Sequence, residues 1–238
     1  MDVLVACEYS ARVRDAFIER GHNAWSCDLM PTEGNNKNHY QGNVLDACDW
    51  KSGGFFEFLE FKPWDLIIAH PPCTYLSASG LHWNKRRPER AMKTKKALKF
   101  VESIWKLPAK KICLENPVGC INSQLDFMPK PQYIQPYQFG EDASKKTGLW
   151  LRGLPPLQPV EFIKPRLVCK ICKKVSNYDD GILKGCSECG ASTSNLMQRW
   201  SNQTDSGQNK LTPSDDRWKI RSKTYLGIAK AMAQQWNN

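Results

Sequence analysis

The stretch Trp64 to Ser77, which reads WDLIIAHPPCTYLS, decides how this chain folds. Its apolar run ends at two prolines, which is typical of a buried strand followed by a tight turn. Cys73 comes next, so the pattern places its thiol just beyond the carboxyl end of a strand. Open α/β sheets bind ligands in the crevice outside those ends. Cys73 is therefore a candidate nucleophile, and a buried core thiol is the alternative interpretation.

A second stretch, KKICLENPV at Lys110 to Val118, repeats this design further along the chain. Its apolar run ends in Glu115, Asn116 and Pro117. The carboxyl ends of neighbouring parallel strands meet at one edge of a sheet, which raises the question of whether Cys73 and Glu115 form one site. A carboxyl that only caps the next helix is the alternative.

The other apolar runs alternate with amphipathic segments, which predicts a doubly wound α/β sheet. The predicted strands are Asp2–Cys7, Asn23–Cys27, Gly42–Leu45, Trp64–Ala69, Lys111–Leu114 and Gly148–Arg152, with Tyr133–Gln138 as a further extended candidate. The predicted helices are Ala11–Arg20, Phe55–Phe61, Pro88–Lys106 and Lys223–Trp236.

Four of the ten cysteines have the spacing of a metal site. Cys169 and Cys172 form one Cys-x-x-Cys pair, and Cys186 and Cys189 form a second. Two such turns can place four thiolates tetrahedrally around Zn²⁺, as in zinc ribbons, whereas disulfides are disfavoured in the cytosol. Four protein ligands leave no open position for a substrate, so the predicted zinc is structural. The other six cysteines are expected to be mostly reduced and buried.

Two segments interrupt the alternation of strands and helices, and they set the predicted domain boundaries. Residues 166–200 hold the paired cysteines and are predicted to form the zinc ribbon. Residues 201–217 are polar and rich in turn-forming residues, which indicates a loop. The sheet domain is therefore predicted to consist of residues 1–165 together with 218–238.

The 238 residues carry a net charge of +10, and 41% of them are hydrophobic. That fraction is enough for a sizeable core, and the charge favours a polyanionic partner such as nucleic acid over solubility alone. No apolar stretch is long enough to span a membrane, and the first residues lack the charged start of a signal peptide. We therefore expect a cytoplasmic protein.

Polar and acidic side chains also follow the first three predicted strands. Glu8, Tyr9 and Ser10 come after the first, Asp28 after the second and Asp46 after the third. A carboxylate there can accept hydrogen bonds from ribose hydroxyls or from an adenine amino group. The set favours a nucleoside-bearing cofactor, although an aspartate at such a position often only caps a turn.

Taken in order, ACEYSARVRDAF, the DL after the second strand, HPPCTYLS and LENP resemble the DNA cytosine-5 methyltransferases, and most closely their compact, phage-type members. The resemblance covers residues 1–165 and, more weakly, 218–238. It implies a Rossmann-like methyltransferase sheet that uses S-adenosylmethionine and acts on double-stranded DNA. A phage-encoded chain would work in the cytoplasm of its host.

The resemblance also implies a mechanism for the two candidate residues. The Cys73 thiolate would attack carbon 6 of a cytosine flipped out of the duplex, while Glu115 holds and protonates ring nitrogen 3. Carbon 5 would then take a methyl group from S-adenosylmethionine, and loss of the carbon 5 proton would release the enzyme.

For the cofactor, the resemblance implies that Glu8 to Ser10 lie beside the methionine portion of S-adenosylmethionine. Asp28 would bind its ribose and Asp46 its adenine, and Pro71 would shape the wall shared by cofactor and base. The family's first loop is rich in glycine, whereas the corresponding residues here, Cys7 to Arg12, include none.

A basic segment, Ser77 to Lys96, follows the candidate nucleophile directly. By the resemblance it is the mobile loop that closes over the flipped base. Arg86 and Arg87 are expected to contact phosphates, with Trp83 available for stacking. A solvated helix face is an equal alternative for Lys93 to Lys96.

Two further features bear on how DNA would be bound. Lys145 and Lys146 lie where the family has an arginine-rich strand motif, and they are candidates to substitute for it. The family's large target-recognition domain has no counterpart in this chain, so we expect a short or relaxed target sequence.

Two other functions stay open from the sequence. One is an enzyme of the same scaffold that modifies a pyrimidine with another donor, or that acts on a free nucleotide. The other is a non-catalytic zinc-ribbon protein that binds nucleic acid. The basic segment argues against a free nucleotide, and the presence of both Cys73 and Glu115 argues against a non-catalytic protein.

Overall fold

The computed structural model describes residues 1–49, 54–55, 64–177 and 185–237, which divide into two compact units. The first, called the sheet unit here, comprises Met1–Ile134, Lys146–Gln158 and Lys223–Asn238. The second, the cysteine unit, comprises Gln135–Lys145 and Pro159–Ser222. The units are divided differently from the predicted domains, because residues 135–145, 159–165 and 218–222 cluster with the four cysteines.

The sheet unit is built on a seven-stranded sheet with the order β3-β2-β1-β4-β5-β7-β6. Strand β7 runs antiparallel to both of its neighbours, and the other adjacent pairs are parallel. The predicted α/β class with a mostly parallel sheet is therefore confirmed. The strands are β1 (Asp2–Ala6), β2 (Asn23–Asp28), β3 (His39–Gln41), β4 (Trp64–Ala69), β5 (Ala109–Pro117), β6 (Gln132–Ile134) and β7 (Thr147–Arg152).

The apolar run of β4 lies at the centre of this sheet. Its residues Leu66 to Ala69 are fully buried, because the strand pairs with β1 on one side and β5 on the other and is covered on both faces. The strand order reverses between β1 and β4. From β1 the sheet continues through β2 and β3 to one edge, whereas from β4 it continues through β5 towards the other edge. Loops diverge at such a reversal and leave a crevice at the carboxyl ends of the strands.

The described helices of the sheet unit are α1 (Arg12–Ile18), α2 (Val44–Ala47), α3 (Ala78–Leu81), α4 (Pro88–Trp105), α5 (Ile121–Gln124) and α7 (Leu226–Gln235). Helix α4 begins at Pro88, whose fixed φ suits the first turn of a helix. It buries Leu98, Val101 and Ile104, which recur at helical spacing. Full burial of each such side chain stabilises the fold by about 1.5–3 kcal/mol.

The third predicted strand is wrong. The strand is His39–Gln41, and the second half of the predicted strand, Val44 and Leu45, lies in α2 instead. Asn43 decides this, because its side-chain oxygen accepts a hydrogen bond from the Leu45 amide at 3.1 Å and starts a helical turn. The helix predicted at Phe55 to Phe61 falls almost entirely outside the described residues.

Three other elements have a boundary that differs from the prediction by three residues or more. Strand β5 continues through Glu115 to Pro117, because antiparallel β7 pairs with it along that length. The stretch Tyr133–Gln138 is β6 followed by a 3-10 turn at Pro136–Gln138. The C-terminal helix is α7 alone, since Tyr225 has an extended backbone and precedes the first helical residue.

The cysteine unit contains a three-stranded antiparallel sheet in the order β10-β8-β9. Its elements are β8 (Arg166–Cys169), β9 (Val175–Asn177), β10 (Leu196–Arg199) and the helix α6 (Arg217–Ser222). Between β10 and α6, the Thr204 amide donates to the Gln208 carbonyl at 2.8 Å, which closes a turn in the predicted loop. Among the described residues, no helix of either unit has the length and apolar character needed to cross a membrane.

Candidate active site at the carboxyl ends of β1, β4 and β5

Cys73 lies four residues beyond Ala69, the last paired residue of β4, at the point where the strand order reverses. It begins a 3-10 turn, Cys73–Tyr75, and is half-buried. Two side chains of helix α4 donate hydrogen bonds to carbonyl oxygens of this turn. Arg90 Nη2 donates to the Thr74 carbonyl at 2.8 Å, and Thr94 Oγ1 donates to the Tyr75 carbonyl at 3.0 Å. Helix α4 thus fixes the turn that begins with Cys73.

Glu115 lies in β5, the strand next to β4, and its carboxylate contacts the residue that follows β4. Its Oε2 is 3.0 Å from Nδ1 of His70, and the two side chains are only 13% and 8% exposed. One residue further, the buried Asn116 donates from Nδ2 to the Pro71 carbonyl at 2.7 Å. These two hydrogen bonds join the Glu-Asn-Pro stretch to the His-Pro-Pro-Cys turn.

The loop after β5 is also pinned to the turn that carries the thiol. The Ala78 amide donates to the Val118 carbonyl and the Cys120 amide donates to the Leu76 carbonyl, each at 2.9 Å. A Cβ atom at Gly119 would lie 1.9 Å from the Leu76 carbonyl oxygen. Only glycine permits this approach of the two backbones, so Gly119 is a structural requirement of the site.

His70 and Asn116 were not singled out from the sequence as site residues. A signal for His70 exists, since a histidine between a buried strand and two prolines needs a polar partner when it is buried. The partner, Glu115, was itself identified, but the pairing of β4 with β5 was needed to bring the two together.

The loop after β1 is held by its own glutamate. Glu8 is buried, and its carboxylate accepts from the Val13 amide at 2.7 Å, the Arg14 amide at 3.1 Å and the Ser10 hydroxyl at 3.2 Å. It therefore caps the start of α1, where unsatisfied amides favour a negative charge. Burial nevertheless raises the pKa of Glu8, and nearby His70 partly offsets this.

Two residues of this loop adopt backbone conformations that favour glycine. Cys7 has φ 60° and Ala11 has φ 62°, both in the left-handed region. Side chains there cost roughly 1–2 kcal/mol each. The glycine-free loop therefore takes up a glycine-like path, and the buried Ala11 side chain is accommodated within it.

Asp28 ends β2, and a polar network supports the loop beyond it. The Asp28 carboxylate accepts from the Met30 amide at 2.9 Å, and burial raises the pKa of this carboxyl. His39 lies 2.8 Å from the Ser26 hydroxyl through Nδ1 and 3.1 Å from the Met30 carbonyl through Nε2. Burial lowers the pKa of His39, which favours the neutral ring that can accept from Ser26 and donate to Met30.

The remaining predicted cofactor residues differ in exposure. Pro71 and Tyr9 are buried, and Ser10 is half-buried. Asp46 is exposed and lies in the first turn of α2, not at the end of a strand. Their expected roles towards a cofactor stay predictions.

Five of the six scattered cysteines behave as inert thiols. Burial is the main reason why the thiol pKa is raised at five positions: Cys7, Cys27, Cys48, Cys113 and Cys120. The pKa reaches about 12 for Cys7 and Cys48. Such thiols carry little thiolate near neutral pH and are poor nucleophiles. Four of these five cysteines are buried, whereas Cys73 is half-buried and follows the central strand.

The basic segment after the turn presents an aromatic ring with two guanidinium groups over it. Trp83 is 39% exposed, and the Arg86 and Arg87 guanidinium carbons lie 5.9 and 5.0 Å from the centroid of its ring. Both arginines are exposed. The segment is folded into short helical turns at Ala78–Leu81 and His82–Lys85.

The two candidate lysines fall in different units. Lys145 belongs to the cysteine unit, where its Nζ donates to the Arg221 carbonyl at 2.9 Å. Lys146 belongs to the sheet unit, where its Nζ lies 4.5 Å from the centroid of the Tyr133 ring. Their predicted roles in nucleic-acid binding stay predictions.

The four spaced cysteines of the cysteine unit come together. The sulfurs of Cys169, Cys172, Cys186 and Cys189 all lie within 4.8 Å of one another. Two of the separations, Cys169–Cys189 and Cys172–Cys186, are 3.7 and 3.5 Å. Four sulfurs about 2.3 Å from a tetrahedral Zn²⁺ would be about 3.8 Å apart, so the cluster fits this ion.

The backbone around the cysteines supports thiolate ligands. The Ile171 amide donates to the Cys169 sulfur at 3.4 Å. Amides of Cys189 and Glu188 lower the pKa of Cys186 to about 6. Left-handed conformations at Lys173, Gly185 and Gly190 shape the two turns.

Comparisons with known proteins find similarity among solved structures. No protein family model and no curated protein matches the chain. Among solved structures, one described as a proposed DNA modification methyltransferase, encoded within an E. coli prophage, aligns with 14% identity and a TM-score of 0.42. The alignment covers 63% of this chain and 46% of that protein, so the chain spans less than half of its length.

Proposed function

We propose that this protein transfers a methyl group from S-adenosylmethionine to carbon 5 of cytosine in double-stranded DNA through a covalent Cys73 adduct. The observation that carries the proposal is the junction of two neighbouring strand ends. The hydrogen bonds between His70 and Glu115 and from Asn116 to the Pro71 carbonyl join the carboxyl-bearing strand to the turn that begins with Cys73. The chemistry needs a nucleophile and an acid on the same base.

The two residues have complementary roles in this reaction. The Cys73 sulfur forms a bond to carbon 6, and the electron pair displaced from the ring is stabilised as a proton moves from the Glu115 carboxyl to ring nitrogen 3. S-adenosylmethionine, when bound, supplies an electrophilic methyl group to carbon 5. Transfer of the carbon 5 proton to solvent water then expels the Cys73 thiolate and restores the ring double bond, and the proton on ring nitrogen 3 returns to the Glu115 carboxylate.

The crevice at the strand reversal suits a nucleoside-bearing cofactor. We assign the methionine portion to the loop Glu8 to Ser10, the ribose to Asp28 and the adenine to Asp46, with Pro71 as the wall towards the base. The glycine-like backbone at Cys7 and Ala11 supports this assignment, because it lets main-chain groups approach a ligand. The half-buried Asp28 carboxylate can accept hydrogen bonds from ribose hydroxyls.

The exposed basic segment is our proposed DNA contact. Arg86 and Arg87 can neutralise phosphates beside the candidate nucleophile, and the Trp83 ring can stack on a base or wedge into the duplex. Lys145 and Lys146 are proposed as further contacts. For the cysteine unit we propose a structural Zn²⁺, since four thiolates complete its coordination shell.

The test is covalent trapping on a mixed-sequence duplex in which 5-fluorocytosine replaces every cytosine of one strand. Fluorine at carbon 5 cannot leave as a proton does, so the adduct accumulates. We expect a denaturant-stable complex that requires S-adenosylmethionine and vanishes in Cys73→Ala. The matched control is Cys120→Ala, which removes a buried thiol of the same unit and should still form the adduct.

Other outcomes would replace the proposal. Trapping without S-adenosylmethionine, or with a different one-carbon donor, would favour another pyrimidine-modifying reaction on the same scaffold. Binding of the duplex with no adduct under any donor would favour a non-catalytic nucleic-acid-binding protein. Equal trapping by wild type and Cys73→Ala would exclude Cys73 as the nucleophile.

A further inference from the structure

His70 lies between β4 and the two prolines, and its imidazole is buried with only 8% exposure. Nδ1 is 3.0 Å from Oε2 of Glu115. Nε2 is buried and has no hydrogen-bond partner within the described part of the chain. A buried ring nitrogen without a partner is uncommon in native proteins and asks for an explanation.

The charges around His70 are acidic. Besides Glu115 in β5, Glu8 in the loop after β1 and Asp28 at the end of β2 lie close enough for a charge on His70 to lower the pKa of each. The imidazole thus stands among carboxyl groups from three elements. Of these, Glu115 is the one whose side chain it contacts directly.

We infer that His70 is a positioning residue for the proposed reaction: its Nδ1–H holds Oε2 of Glu115 and so directs the acidic proton of that carboxyl through Oε1 to the base. The inference rests on the proposed function. A carboxyl group has two equivalent oxygens, and a donor fixed on one of them decides which oxygen carries the proton. When the Oε1–H bond breaks and the bond from hydrogen to ring nitrogen 3 forms, the Nδ1–H group stabilises the carboxylate that remains.

This arrangement also accounts for the unpartnered nitrogen. With the proton on Nδ1, Nε2 is a bare acceptor, and a donor on a bound nucleotide or an ordered water can fill it. The opposite tautomer would place a buried N–H group against no acceptor and would require Glu115 to donate to Nδ1. The tautomer of His70 therefore distinguishes a positioning role from a purely structural one.

Three substitutions separate the positioning role from packing. His70→Asn places an amide nitrogen near the position of Nδ1, whereas His70→Gln is closer to histidine in size but places its amide near Nε2. His70→Phe keeps the ring and removes both nitrogens. If Nδ1–H acts on Glu115, His70→Phe and His70→Gln should slow adduct formation about 100-fold relative to wild type. His70→Asn should then form the adduct about tenfold faster than these two variants. Packing alone would make His70→Gln the milder change.

The measurement is the single-turnover rate of adduct formation on the 5-fluorocytosine duplex with saturating S-adenosylmethionine. The same substitutions are repeated in Glu115→Gln, where His70→Phe should add less than about threefold if it acts only through Glu115. The matched control is His22→Phe, which should react at the wild-type rate. His22 directly precedes β2, at the amino ends of the parallel strands, whereas His70 follows the carboxyl end of β4. A rate for His70→Gln above that of His70→Asn would overturn the inference.

Nitrogen NMR of the imidazoles provides a second readout that needs no activity. The chain has four histidines, and the His70 signals are assigned by their loss in His70→Asn. A proton on Nδ1 with a bare Nε2 supports the inference, and a proton on Nε2 overturns it. Failure of wild type to form any adduct would overturn the proposed function itself, whereas normal wild-type trapping with the wrong tautomer would overturn the inference alone.

Discussion

The four cysteines of the cysteine unit come from two short turns, and the Cys169 and Cys189 sulfurs that meet at 3.7 Å are 20 positions apart in the chain. The site in the sheet unit is assembled over a longer range, since His70 and Glu115 meet at 3.0 Å across 45 positions. The first cluster depends on the geometry of two short turns and on the ion that we propose its sulfurs share. The second depends on the register of two parallel strands. A local cluster is visible in residue spacing, whereas a long-range site needs the sheet.

Loss of the metal should have the largest effect on the protein. We expect one Zn²⁺ per chain, and its removal by a chelator or by Cys186→Ser should unfold the cysteine cluster, because structural zinc contributes on the order of 10 kcal/mol to such modules. Amide hydrogen exchange at Leu167, Val168 and Met197 should accelerate by about 1000-fold or more. The matched variant Cys120→Ala should keep its zinc. Unchanged protection in a metal-free protein would show that the cluster does not depend on an ion.

A smaller effect is expected where the sheet site depends on close approach of two backbones. Gly119→Ala places a Cβ 1.9 Å from the Leu76 carbonyl oxygen, so the loop after β5 and the turn of Cys73 must separate. We expect the free energy of unfolding in urea to fall by about 2–3 kcal/mol, together with slower adduct formation. The neighbouring Val118→Ala, which leaves the backbone free to pair, should cost less than about 1 kcal/mol. Equal losses in the two variants would contradict the close-approach argument.

The smallest predicted effect concerns the pH dependence of the loop after β1. The pKa of Glu8 is raised in the folded protein, chiefly by burial, so folding favours its protonated form. Its contribution to stability is therefore fully present below the ordinary glutamate pKa and is lost as pH rises through the folded pKa. The free energy of unfolding of wild type, minus that of Glu8→Gln, should fall as the pH increases from 4 to 7.

The control for this measurement is Glu19→Gln, which neutralises an exposed carboxylate just after the last residue of the same helix. Its difference from wild type should change less over the same range. If the free energy of unfolding of wild type minus that of Glu8→Gln instead rose with pH, the hydrogen bonds from the Val13 and Arg14 amides would lower the pKa of Glu8 more than burial raises it. The carboxylate would then stabilise α1 as a charged cap.

Much of the sheet was predictable because strong local signals coincide with it. The run Leu66 to Ala69 and the prolines after it identified the central strand, and the apolar face of α4 identified the longest helix. The third strand was missed because a two-residue apolar pair, Val44 and Leu45, looked like part of a strand. The cap at Asn43 outweighed that weak pattern.

The amino-acid sequence by itself determined the α/β class, the strand that precedes Cys73 and the grouping of the four spaced cysteines. These features follow from hydrophobic periodicity, proline and short spacings, which act within a few residues. Only the tertiary structure decided that His70 contacts Glu115 and that Asn116 holds the Pro71 carbonyl. It also decided that Gly119 must lack a side chain. These contacts depend on which strands lie side by side and in what register, and that choice is made by packing of the whole sheet rather than by any local stretch.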